Sequence, residues 1–300
     1  MTYPDPAWLD SQYNNRLLVE DFPGHLTRWA QWSATALATS GASLDLSYGA
    51  AASERLDVYP AQSSQPGLAG RGAPVLVFLH GGYWRSLDKK DFAFIGPAFA
   101  QTGACVVIPN YALCPGTAGN PVTIPDITLQ TVRALAWVWR HIASHGGDPS
   151  RITVVGHSAG GHLAAMVMAC RWKALGTDLP GRLVKNALAI SGLYELETLR
   201  HSPYLQTDLK LTAADALRAS PAWLPAPAVQ AGRGEVYAVC GGKESAEFLR
   251  HNALIQQAWG KAVVPVCEPQ PGLNHFSILE ALIDPAHRMN QLARELLRQP

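Results

Sequence analysis

Ser158 stands in the run Gly156-His157-Ser158-Ala159-Gly160, a G-x-S-x-G pattern that follows the β-branched run 152–156 (ITVVG) and leads into the apolar, helix-suited segment HLAAMVMAC. Strand, sharp turn, helix is the arrangement that lifts a serine hydroxyl clear of the backbone as a nucleophile. The turn is so tight that side chains two residues before and two after the serine would collide, which accounts for Gly156 and Gly160. A chain of 300 residues shows this pentapeptide by chance on the order of once in ten sequences. The weight therefore lies in the flanking elements. The helix that follows aims orphan N–H groups and the positive end of its dipole at the same spot, which favours an anion there.

A serine nucleophile needs donors for the oxyanion, a base and an acid. HGGYW at 80–84 follows the apolar run 75–79, and Gly-Gly at the end of a strand lets the backbone turn its amides toward a ligand. The expected oxyanion donors are the amides of Gly82, Tyr83 and Ala159. His275, in the turn-rich PGLNHFS after the last expected strand, is the expected base. His157 adjoins the serine and cannot easily fold back to it. His162 lies about a turn along the helix, His251 and His287 sit in helical segments, and His80 braces the Gly-Gly loop by hydrogen bonding. The acid should follow the run 236–240, where GGKESAEF offers Glu244 and Glu247. Glu244 is nearer the strand end, while Glu247 falls in the first turn of a helix, where an acid suits the dipole without any catalytic role. The assignment is Glu244, with Glu247 as the alternative.

These residues must be positioned by a sheet. Runs at 75–79, 105–109, 152–156, 187–190, 236–240 and 263–267 read as strands buried on both faces, and 44–48 and 55–59 as a pair extending one edge, about eight in all. The segments 127–145, 245–260 and 284–298 carry helical apolar spacing between them. Alternation of strand and helix implies a mostly parallel sheet with helices on both faces. Pro and Gly cluster at 60–74, 114–126 and 221–234, which read as loops. The chain reads as one α/β domain over 1–300, with 1–43 an N-terminal helical extension packed on it. About forty residues separate the strands 187–190 and 236–240, too few for a large lid.

Composition narrows the function further. Charged residues are 16% and apolar residues 48%, enough for a large core and too little charge for a disordered chain. With 24 basic and 23 acidic residues the net charge is +1, and no basic run could neutralise a row of phosphates, so no nucleic-acid partner is expected. The longest apolar run, Leu163 to Cys170, is eight residues, far short of the ~20 a membrane span needs. The opening MTYPDPAWLD has neither a basic nor an apolar region of a secretory signal, and a cytoplasmic location is expected. Cys105, Cys114, Cys170, Cys240 and Cys267 are odd in number and scattered, as suits reduced structural thiols. No H-E-x-x-H, paired cysteines or tight His/Asp cluster appears, so no metal and no cofactor is expected. The expected partner is a small-molecule substrate, with a homodimer the one assembly kept open.

The sequence resembles the α/β-hydrolase kynurenine formamidases (arylformamidases) and their bacterial esterase relatives over most of its length. The resemblance rests on QYNNR at 12–16, HGGYW at 80–84, HSAGGHLA at 157–164 with the preceding Gly156, SGLYELETL at 191–199, LKLTAADALRASP at 209–221, ESAEF at 244–248 and NHFS at 274–277. Hormone-sensitive-lipase relatives usually carry a third glycine where this chain has Tyr83. The resemblance implies the α/β-hydrolase fold, Ser158 as nucleophile, Glu244 as acid and His275 as base. It departs from the family at 244, where the acid is often Asp. It implies hydrolysis of N-formylkynurenine to kynurenine and formate, a step of tryptophan catabolism. A carboxylesterase for small aryl or alkyl esters is the alternative, and a non-catalytic hydrolase-like binding protein the outside one. Trp84, Tyr111, Tyr194 and Phe276 lie in segments expected at the C-terminal end of the sheet and are candidates for an aryl pocket beside Tyr83. For Trp84 and Tyr111, packing beneath the loops stays equally open.

Overall fold

The computed structural model describes residues 4–62, 72–229 and 234–299, so the loops expected at 60–74 and 221–234 lie partly outside the described residues. Among the described residues the strands are β1 (Ser43–Ser47), β2 (Arg55–Tyr59), β3 (Ala73–Leu79), β4 (Cys105–Pro109), β5 (Gly116–Thr117), β6 (Asn120–Pro121), β7 (Gly147–His157), β8 (Val184–Ile190), β9 (Val236–Gly241) and β10 (Cys267–Gln270). β5 and β6 form a small ribbon, and the rest make one eight-stranded sheet in the order β1-β2-β4-β3-β7-β8-β9-β10. β2 pairs antiparallel with both β1 and β4, whereas every pairing from β4 through β10 is parallel. This is the mostly parallel sheet that the strand pattern predicts and the α/β-hydrolase resemblance implies.

The central strands are buried and largely apolar over 75–79, 105–109, 152–156 and 187–190 because both faces are covered there. Along β3, Val75, Val77 and Leu79 enter one core while Leu76 and Phe78 enter the other, the period-two alternation of a strand. The helices are α1 (Pro6–Tyr13), α2 (Asn15–Leu18), α3 (Phe22–Thr39), α4 (Ile95–Ala100), α5 (Ile124–His141), α6 (Ala159–Met168), α7 (Glu197–Arg200), α8 (Pro203–Leu209), α9 (Ala213–Arg218), α10 (Ala246–Trp259), α11 (Ser277–Ile283) and α12 (Arg288–Arg298). α5, α6 and α10 supply the first core, and α4, α11 and α12 the second. α5 starts three residues before its apolar periodicity, because Thr123 and Asp126 close a capping box and Pro125 suits the first turn. The N-terminal helices bridge the faces: Leu9 and Tyr13 pack into the first core, Trp29 and Ala36 into the second.

Two expected elements are corrected. The run 263–267 is not itself a strand: Pro265 has no N–H for the ladder, and regular pairing with β9 begins only at Cys267. The carbonyls of Val263 and Val266 nonetheless accept from the amides of Val236 and Ala238 at 2.7 and 2.9 Å. The helix expected over 284–298 begins at Arg288, and a separate helix, α11, precedes it. All five cysteines are free. No helix of the described residues is long and apolar enough to cross a membrane.

Candidate active site

Ser158 sits between the end of β7 and the start of α6 with φ 58° and ψ −117°, a backbone strained for any residue with a Cβ. The strain is held from both sides. The Ser158 amide donates to the Ile190 carbonyl at 2.8 Å. A Cβ on Gly156 would land on the carbonyl group of Gly160, and one on Gly160 would land on that of Leu79, so only glycine fits either place.

β9 ends in the turn that carries Glu244, and β10 in the turn that carries His275. Glu244 Oε2 lies 2.7 Å from His275 Nδ1, and Oε1 accepts from Ser191 Oγ and from the Gly241 amide, both at 2.6 Å. The Glu244 side chain has no exposed surface, so three donors compensate a carboxylate withdrawn from water. With Nδ1–H donating to the carboxylate, His275 Nε2 is the basic nitrogen. Glu247, the alternative acid, is seated elsewhere: its Oε2 accepts from the Tyr13 hydroxyl at 2.8 Å, and it pairs with Arg250 at 2.9 Å.

Ser158 and His275 face one cavity of about 540 Å³, whose wall also includes Gly81, Gly82 and Tyr83. Among the described residues no hydrogen bond closes between Ser158 Oγ and His275, a contact that often tightens only around a bound substrate. Gly82 and Tyr83 have φ of 113° and 50°. Their amides donate to no group among the described residues, while the Gly82 carbonyl accepts from the amides of Arg85 and Ser86 at 3.1 Å. Ala159 is the first residue of α6, where an amide has no intrahelical partner. Its side chain is buried and is not part of the cavity wall.

The histidines set aside as bases brace the site, the core or a helix end. His80 Nδ1 lies 2.8 Å from the Gly81 carbonyl, and its Nε2 is 3.2 Å from Asn110 Oδ1. His157 Nε2–H donates to the backbone carbonyl of His275 at 2.9 Å, which fixes the turn that carries the base. Burial, reinforced by His275 nearby, pulls the His157 pKa well below the usual imidazole value and keeps it neutral. His162 Nε2–H donates to the Ala219 carbonyl at 2.7 Å, and burial lowers its pKa to about 4. His251 accepts from the Tyr194 amide at 3.1 Å, and His287 caps α12.

Of the aryl-pocket candidates, Phe276 lines the cavity, and Trp84, Tyr111 and Tyr194 do not. All three are buried beneath the loops. Trp84 meets the His162 ring edge-on, Tyr111 stacks on His80 and donates to the His80 carbonyl at 2.8 Å, and Tyr194 packs against Gly192. The aromatic wall comes instead from Phe22 and Trp29 of α3 and from Phe92, with Asn14, Asn15, Arg16 and Leu17 beside it. Tyr204 and Asp208 of α8 close another side. Sequence periodicity misses these residues because it does not say where an N-terminal extension docks; the QYNNR run was the one available signal.

Two charged groups differ in kind. Arg85 is neutralised by Asp208 at 2.6 Å and stacks on Tyr204. Arg16 lies over the Phe22 ring at 5.2 Å and has no carboxylate partner among the described residues. No group of three or more His, Cys, Asp or Glu among the described residues could hold a metal ion.

The family model BD-FAE matches residues 56–190. The chain is 29% identical over 290 residues to the kynurenine formamidase of Danio rerio, covering 96% of this chain and 93% of that protein. It is similar to a solved structure of a protein assigned as a thioesterase from a Silicibacter species, with TM-score 0.76 and 26% identity, covering 94% of this chain and 97% of that one. The Pyrobaculum calidifontis esterase shares the fold at TM-score 0.64 and 18% identity, covering 94% and 96%.

Proposed function

Because the chain belongs to the α/β-hydrolase family of kynurenine formamidases and related esterases, we propose that it is a serine hydrolase that removes a formyl group from an aryl amine, with N-formylkynurenine the leading substrate. Ser158 Oγ attacks the formyl carbon as His275 Nε2 takes its proton, and Glu244 stabilises the imidazolium. The amides of Gly82, Tyr83 and Ala159 hold the oxyanion. The C–N bond then breaks, and His275 returns the proton to the departing aniline nitrogen. Water, activated by the same imidazole, cleaves the formyl ester and releases formate.

The observation that carries this reading is the convergence of a strained serine and a buried Glu244–His275 pair on one cavity with an aromatic wall and a guanidinium that has no carboxylate partner among the described residues. Its volume of about 540 Å³ suits a small aryl substrate. Phe22 and Phe276 offer ring surface, with Trp29 and Phe92 buried behind them, and Arg16 offers a guanidinium to the substrate's carboxylate. The second reading, a carboxylesterase for small neutral esters, draws on the same apolar wall and on the esterase relatives. The ratio of kcat/KM for N-formylkynurenine over p-nitrophenyl acetate separates the two. A ratio well above one supports the formamidase, and a ratio far below one moves the assignment to the ester.

A further inference from the structure

We infer that the Tyr83 phenol is a positioning group for the oxyanion hole, latching the N-terminal segment to the loop whose amides face the nucleophile. The inference rests on the reading of the Gly82 and Tyr83 amides as oxyanion donors and adds a control over them.

Gly82, Tyr83 and Trp84 are consecutive residues with positive φ, at 113°, 50° and 54°, and only the first is glycine. A residue with a Cβ relaxes out of that region unless its surroundings hold it. Trp84 is held by its buried ring against His162, and its carbonyl accepts from the Cys114 amide at 2.7 Å. Tyr83 is held differently. Its hydroxyl donates to the Tyr13 carbonyl at 2.7 Å and receives the Asn15 side-chain amide at 3.4 Å.

The Tyr13 carbonyl is the last of helix α1, a position with no intrahelical donor. Tyr83 therefore satisfies a buried helix C-terminus with the side chain of a residue whose own backbone amide is a proposed oxyanion donor. Tyr13 is anchored in turn: its hydroxyl pairs with Thr198 Oγ1 at 2.6 Å and donates to Glu247 Oε2 at 2.8 Å. A continuous chain of contacts thus runs from α7 and α10 through Tyr13 and the Tyr83 phenol to the oxyanion loop. The next residues of the N-terminal segment, Asn14 to Leu17, form part of the cavity wall, so docking that wall and setting the amide are one event.

Tyr83→Phe keeps the ring and removes the latch. Thr198→Val, nearly the same shape, loosens Tyr13 from a point outside the cavity. Both variants are measured against the wild type for kcat, KM, thermal unfolding and affinity for an arylboronic acid. The boronate adds to Ser158 Oγ as a tetrahedral adduct, and its oxygen tests the hole directly. Tyr83→Phe is expected to lower kcat ten- to a hundredfold with KM changed less than threefold, and to weaken the boronate by the same factor as kcat. Thr198→Val should reproduce the pattern at two- to tenfold, and it carries the test alone if Tyr83→Phe does not fold. The inference is overturned if kcat and boronate affinity stay within twofold in the folded variants, or if kcat falls with the boronate unaffected. Failure of a phosphonate to label the wild type would instead remove the serine-hydrolase reading, an outcome distinguishable from either.

Discussion

Glu244→Gln changes one atom, and the structure dictates which way the new amide must face. Glu244 Oε1 accepts from Ser191 Oγ and the Gly241 amide, while Oε2 meets His275 Nδ1. The serine hydroxyl can rotate to suit either end of an amide, but the Gly241 N–H cannot. Turning the glutamine NH₂ toward Gly241 would bury two opposed donors at a cost of about 1–3 kcal/mol. The amide oxygen therefore stays on the Gly241 side, and the NH₂ faces His275. Nδ1 must then accept, which moves the ring proton to Nε2, the nitrogen that should receive the serine proton. The side chain is fully buried, so no water relieves the mismatch. Loss of the correct tautomer costs on the order of 10⁴ in kcat, about 5.5 kcal/mol in the barrier. Steady-state kinetics on p-nitrophenyl acetate measures it, with Glu247→Gln as the comparison. The Tyr13 hydroxyl and Arg250 at Glu247 tolerate an amide, and Arg250 keeps Glu195 at 2.7 Å, so that variant should lose less than tenfold. More than a tenth of wild-type kcat in Glu244→Gln, or a larger loss in Glu247→Gln, refutes the reasoning.

Gly160→Ala places a Cβ on the Leu79 carbonyl and should cost more than about 3 kcal/mol of unfolding free energy by urea denaturation, where a surface Gly→Ala would cost little. His80, His157, His162 and His251 all have pKa values lowered by burial. The unfolded chain binds protons at ~6.5 and the folded chain does not, so their contribution is complete above that pH and is lost as pH falls below it, by up to about 1.4 kcal/mol per histidine per pH unit. Urea midpoints should fall steeply from pH 6.5 to 5, and a flat profile would contradict the buried neutral assignment. Arg16→Gln should lower kcat/KM for N-formylkynurenine relative to p-nitrophenyl acetate by about tenfold, the value of one charge-assisted contact; an unchanged ratio removes Arg16 from substrate recognition.

The central strands were legible because burial on both faces leaves a short, largely apolar run within β3, β4, β7, β8 and β9. β10 was misplaced because the edge strand CEPQ carries Glu268 and Gln270 instead of an apolar run, while the apolar residues before it serve the approach. Ser158, His275 and Glu244 could be placed from the strand ends that carry them, since ligands collect at the C-terminal ends of a parallel sheet. The pocket wall could not. Trp84, Tyr111 and Tyr194 also follow strands, yet their rings turn inward to support His162, His80 and the loop at Gly192. Two of the cavity's aromatics, Phe22 and Trp29, come from a helix more than fifty residues upstream of the oxyanion loop, and that contact is tertiary.

The central claim is that Ser158 is a nucleophile activated by its surroundings. Titration with diisopropyl fluorophosphate, followed by peptide mass spectrometry, tests it most directly. The account predicts one adduct per chain, located on Ser158, with activity lost in proportion and labelling greatly slowed in Glu244→Gln. An adduct on another residue, or full activity in protein labelled at Ser158, would contradict it.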